Sequence, residues 1–123
     1  MPTVLLIGFA PESIPGFAPG AVAAQLDEGS RRFAEAGLTE DQCLIDFGDP
    51  HPERKIVEHL GRGPYDAVVV GGGIRKPAEL LGLFQTVVNL VHWQQPRAAI
   101  AFNSGPTDSA DWVVKALEQR RNR

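Results

Sequence analysis

Apolar residues fall along this chain in short unbroken runs, separated by stretches in which they recur every three or four positions. Thr3–Phe9 (T-V-L-L-I-G-F) and 66–70 (D-A-V-V-V) lack polar/apolar alternation, the pattern of strands covered on both faces. Residues 41–47 and 98–102 complete a set of four predicted strands. The intervening stretches read as helices. Val22, Leu26, Gly29 and Phe33 recur at helical spacing from Ala21 onward, and Gly37 is placed to terminate that helix. Pro52 opens a short helix expected to carry Ile56, Val57 and Leu60 inward. A longer helix over 78–94 is apolar round most of its circumference, and a last one carries Trp112, Val113, Ala116 and Leu117, with Thr107 or Asp108 as its N-cap.

Strand followed by helix, four times over, predicts an α/β protein: a three-layer α/β/α sandwich with a four-stranded parallel sheet. Right-handed crossovers in a doubly wound layout give the expected strand order 2-1-3-4. Ligands of such sheets bind outside the carboxyl ends of the strands, near the reversal of winding between strands 1 and 3. Three connections are expected to meet there: the Pro-rich loop 10–20 (A-P-E-S-I-P-G-F-A-P-G), the turn 71–77 (G-G-G-I-R-K-P) and the loop 103–108 (N-S-G-P-T-D). Loop 10–20 is long for a strand-to-helix connection, which marks it as a binding loop or lid.

Length and charge narrow the function. At 123 residues, 1–123 reads as a single domain. A net charge of -3 argues against general binding to nucleic acid or to anionic membranes, both of which need summed positive charge. The basic end 120–123 reads as cations complementing the dipole of the last helix. No apolar run reaches the ~18 residues of a membrane span. The N-terminus lacks the basic flank and cleavage site of a signal peptide, so a cytoplasmic protein is expected.

The candidate chemistry centres on 65–77, where a buried strand gives way to Gly71-Gly72-Gly73 and then Arg75 and Lys76. Glycines there let a neighbouring chain or a ligand approach the backbone closely, and the cations suit an anion. The dinucleotide fingerprint G-x-G-x-x-G fails at Lys76, and no G-x-x-x-x-G-K-[ST] loop occurs, so no nucleotide cofactor is expected. The expected ligand site comprises Gly71, Gly72, Gly73, Arg75 for charge and Asn103 for polar readout. Phe9 and Phe17 form its apolar wall, and Glu12 lies on the adjoining loop. Each has a plainer reading: the glycines as tight strand–helix packing, Arg75 as solvated, Asn103 as a turn residue.

Other groups carry less. Asp46, Asp49, His51 and Glu53 are metal-ligating types, but Pro50 and Pro52 bend their path, and no metal is expected. Cys43, the single cysteine, reads as a buried inert thiol. His59 and His92 fall on helices at positions expected to face solvent or an interface, with no motif that would make either a general base.

The motifs G-F-A-P at 8–11, G-x-R-x-P at 73–77 and F-N-S-G-P-T-D at 102–108 resemble those of a family of small uncharacterised bacterial proteins of the Rossmann-like (flavodoxin-like) type. The resemblance implies that fold and a shared site for the three loops. It implies no activity. Two functional readings follow: a binding domain or small enzyme for an anionic or carboxylate-bearing small molecule, or an interaction module that homodimerises through the apolar helix 78–94, using some of Leu81, Phe84, Val88 and Trp93.

Overall fold

The computed structural model describes residues 1–122; Arg123, the last cation of the basic end, lies outside them. Strands β1 (Thr3–Phe9), β2 (Thr39–Ile45), β3 (Ala67–Val70) and β4 (Ala99–Phe102) form one all-parallel sheet in the order β2-β1-β3-β4. Helices α1 (Pro19–Glu35), α2 (Pro52–Leu60), a single turn α3 (Gly72–Arg75), α4 (Leu81–Gln94) and α5 (Ser109–Arg121) alternate with the strands. The expected fold class and strand order are both present.

Period-two alternation in the strands sorts the core into two layers. Leu5 and Ile7 of β1 with Val68 and Val70 of β3 point to one face, where Ile56 and Leu60 of α2 and Val87 and Val91 of α4 cover them. Val4, Leu6, Ala67 and Val69 point to the other, against Phe33 of α1 and Val113 of α5. The α1 stripe is as the spacing predicts, with Gly29 and Phe33 buried. After it the chain turns at Gly37 (φ 75°): the Gly37 amide donates to Ala34 O (3.1 Å) and the Leu38 amide to Phe33 O (2.9 Å). That paired arrangement satisfies the last carbonyls of the helix and sets Leu38 beside Phe33 in the core.

Four expectations shift. β2 begins two residues early and ends before Phe47, because it is an edge strand whose polar residues Glu40, Asp41 and Gln42 need no cover. Phe47 instead folds back on Phe9, their ring centroids 5.2 Å apart. On α2, Val57 faces out and His59 faces in, since 56, 59 and 60 share a face that 57 does not. The buried His59 bonds through Nδ1 to Lys55 O (2.9 Å), a local contact within its own helix. On α5, Trp112 is 44% exposed and stands apart from the core face of Val113. At the far end of α5, Arg120 is held at the sheet: its guanidinium donates to Arg97 O (2.7 Å) and Asp66 O (3.3 Å).

Cys43 is fully buried, and that burial pushes its thiol up to about 11. The thiolate is therefore scarce at neutral pH. Alkylation by iodoacetamide is expected only as the protein unfolds; rapid modification of the native state would contradict this placement.

Candidate functional site

At the carboxyl ends of β3 and β4 a hydrogen-bonded clamp forms. Gly71 ends β3 with its amide bonded to Ile7 O (2.9 Å), and its carbonyl accepts from Ile74 (3.1 Å) and Arg75 (3.2 Å). This turns the glycine stretch into the single-turn helix α3. Glycine is a poor helix former, so the turn is imposed from outside. Asn103 imposes it: Oδ1 accepts from the Gly72 amide (2.7 Å), and Nδ2 donates to Ser109 Oγ (2.8 Å) at the start of α5. Asn103 and Ser109 are both buried. The Asn103 amide is thus engaged at both ends and joins β3, β4 and α5, rather than facing a ligand.

The glycines fit this closeness. A Cβ on Gly71 would come 3.1 Å from Ile7 O, and one on Gly72 would lie 3.4 Å from the Asn103 carbonyl and side-chain oxygens. Gly73 is exposed, with Phe9 beside it.

Arg75 projects from α3 toward β4. Its Nη2 donates to Asn103 O (2.8 Å), while Nε is buried with no hydrogen-bond partner. Lys76 Nζ reaches Ser104 O. Below Arg75 a groove of about 410 Å³ runs between β4 and α5, lined by Arg75, Ile100, Phe102, Trp112, Lys115 and Gln119 among others. On α5, Trp112, Lys115, Ala116 and Gln119 share a face by i, i+3, i+4, i+7 spacing. Lys115 Nζ lies 5.3 Å from the Trp112 ring centroid.

Beside the groove, Asp108 holds the expected N-cap position of α5, but its side chain makes no bond to a first-turn amide of that helix and reaches back to Ser104 instead. It accepts from the Ser104 amide (3.1 Å), the Ser104 hydroxyl and Trp112 Nε1 (3.1 Å). Partial burial pushes the Asp108 carboxyl up, but these bonds outweigh it and leave it below its usual range.

The expected site is therefore divided. Arg75 and Asn103 line the groove at β4. Phe9 lines a separate cleft of about 110 Å³ with Asp46, Phe47, Asp49, Pro52, Leu80 and Leu83. Glu12 is exposed on a short 3-10 turn (Pro11–Ser13), and Phe17, 65% exposed, lines neither cavity. The loop expected over 10–20 is shorter, because α1 already begins at Pro19, and it is anchored at its start beside β2: Ala10 N bonds Ile45 O (2.8 Å), and Phe47 N bonds Ser13 Oγ (3.0 Å). Around the second cleft, Asp49 accepts from the His51 amide (2.9 Å). Among the described residues no group of three or more His, Cys, Asp and Glu side chains is placed to hold a metal ion.

Sequence reasoning missed Trp112, Lys115 and Gln119. Their spacing on α5 was a usable signal, hidden because Trp112 reads first as core. No family model matches the chain, and no curated protein matches it, so neither comparison supports the resemblance to a bacterial family. Among the described residues no helix is long and apolar enough to cross a membrane.

Proposed function

We propose that the protein binds a carboxylate-bearing ligand in the groove between β4 and α5. Arg75 and Lys115 supply charge and Trp112 an aromatic wall. One observation carries this reading: the groove lining holds two cations and no carboxylate, in a chain of net charge -3. Arg75 strengthens it. Its ε nitrogen is buried without an acceptor, and the bond from Nη2 to Asn103 O fixes the fork. A partly desolvated guanidinium with no counter-charge gains most from an anion arriving at its outer edge. The volume falls within the 300–1,000 Å³ usual for small-molecule sites. Ser104 Oγ, the hydroxyl nearest the rim, already donates to Asp108, so the reading is one of binding.

Arg75→Ala is expected to weaken binding of a dicarboxylate probe such as glutarate by about tenfold or more, with little change in melting temperature. Arg75→Lys should recover only part, since a point charge lacks the planar fork. Calorimetric affinity unchanged by Arg75→Ala would remove Arg75 from the site.

The second reading, an interaction module, is favoured by α4. Leu81 is 65% exposed and shares a stripe with the half-buried Phe84 and Val88, whereas Trp93, 68% exposed, lies about a third of a turn away. That stripe predicts a dimer weakened by Leu81→Asp. A monomer by light scattering at micromolar concentration would count against it.

A further inference from the structure

The two edges of the sheet are built differently. β2 carries Thr39, Glu40, Asp41 and Gln42, and Lys55 of α2 donates to Leu44 O (2.7 Å). Charges of this kind guard an edge against pairing with another chain. β4 reads Ala-Ile-Ala-Phe, with no charge within the strand itself. The Ala99 amide donates inward to Asp66 O (2.9 Å), so parallel-ladder alternation turns the N–H and C=O of Ile100 and Phe102 toward the open side. Phe102 is 37% exposed, and its ring meets Phe84 of α4 with centroids 5.8 Å apart. The open edge therefore has apolar rings on its α4 side and the cationic groove on its α5 side.

We propose that the carboxylate-bearing ligand is an extended acidic peptide segment that adds to β4 as a fifth strand. This rests on the binding reading above and names its ligand class. Alternating side chains of the added strand would face opposite ways. Acidic residues point into the groove toward Arg75 and Lys115, and apolar residues pack on Phe84 and Phe102. Main-chain bonds to Ile100 and Phe102 supply affinity, and the two rows supply specificity.

Charge selects this occupant over a second copy of the chain. Arg75 and Lys76 stand at the carboxyl end of β4, and Arg97 and Arg120 at its start. Antiparallel pairing of two β4 edges across a two-fold axis would set one copy's Arg75 and Lys76 against the other's Arg97 and Arg120. Asp111 and Glu118 flank Lys115 on α5 at i−4 and i+3, but neither lines the groove, and Asp108 is already engaged by Ser104 and Trp112.

The probe is a fluorescein-labelled, acetylated and amidated hexapeptide alternating glutamate and valine, followed by anisotropy with the full chain. Saturable micromolar binding is expected. The glutamine version should bind at least tenfold more weakly, and a version N-methylated on alternate backbone nitrogens should not bind. Lys115→Glu and Phe102→Lys should each weaken binding about tenfold or more, with folding checked by circular dichroism. Equal binding of the N-methylated peptide, or indifference to both substitutions, would overturn strand addition. Glutarate binding without peptide binding would overturn it while sparing the small-carboxylate reading; binding of neither would sink both. A dimer that Phe102→Lys dissociates would give the edge to a second copy and overturn the peptide.

Discussion

Replacing Asn103 by alanine is expected to destabilise the fold by about 2–4 kcal/mol. The side chain satisfies two buried groups at once, the Gly72 amide and the Ser109 hydroxyl. A buried polar group stripped of its partner costs roughly 1–3 kcal/mol, and truncation strands both. The loss spreads beyond the pair, because Gly72 opens α3, which carries Arg75. Asn103→Leu, of similar size, separates lost volume from lost bonds and should be about as damaging as alanine. Urea unfolding measures the outcome as a fall in midpoint at unchanged slope. A change under about 0.5 kcal/mol for either variant would mean that Asn103 is a turn residue and no more.

Gly29→Ala is the second large effect. Alanine normally stabilises a helix interior over glycine by about 1 kcal/mol. Here the added Cβ would fall 2.3 Å from Pro106 O and 3.3 Å from Pro106 C. Both atoms are backbone, so no side-chain rotation relieves the clash, and α1 must lift off the 3-10 turn Pro106–Asp108. Overpacking of this kind costs roughly 1–3 kcal/mol and outweighs the propensity gain. Arg32, which donates to Thr107 O (3.1 Å) across the same contact, would be displaced with it. Gly82→Ala is the internal control: nothing lies within 4 Å of its Cβ position, so it should be neutral or stabilise by a few tenths of a kcal/mol. If both substitutions stabilise equally, the close approach of α1 to Pro106 is wrong.

These two positions also mark where sequence reasoning stopped. Gly29 is visible as a member of the α1 stripe at helical spacing, and the small residue is legible. Its reason is not, since Pro106 is far away in the chain. Strand order was legible because strand–helix alternation and handedness leave few topologies. The bounds of β2 were not, because an edge strand hides its period under polar residues, and Phe47 looks like a strand residue until it is seen folded on Phe9. α3 gave no signal at all, because three glycines carry no periodicity and the turn is made by Asn103, 31 positions on from Gly72. The candidate site was half legible. Arg75 could be chosen from the glycine turn and the expected sheet centre, but the pocket opened toward β4 and α5, away from Phe9, Glu12 and Phe17. The strand order already placed β4 at an edge, where an apolar strand is itself a sign of further cover or pairing.

The proposed function has a carboxylate held between β4 and α5 by Arg75 and Lys115. Its most direct test is a two-dimensional ¹H–¹⁵N NMR titration of the labelled protein with glutarate. Saturable shifts are expected in the Trp112 indole, the Arg75 Nε–H and the amides of Ile100, Phe102 and Ser104. The β2 amides should stay still, and the shifts should be lost in Arg75→Ala. Shifts centred on Phe9 and Phe47, or groove shifts that survive Arg75→Ala, would contradict it.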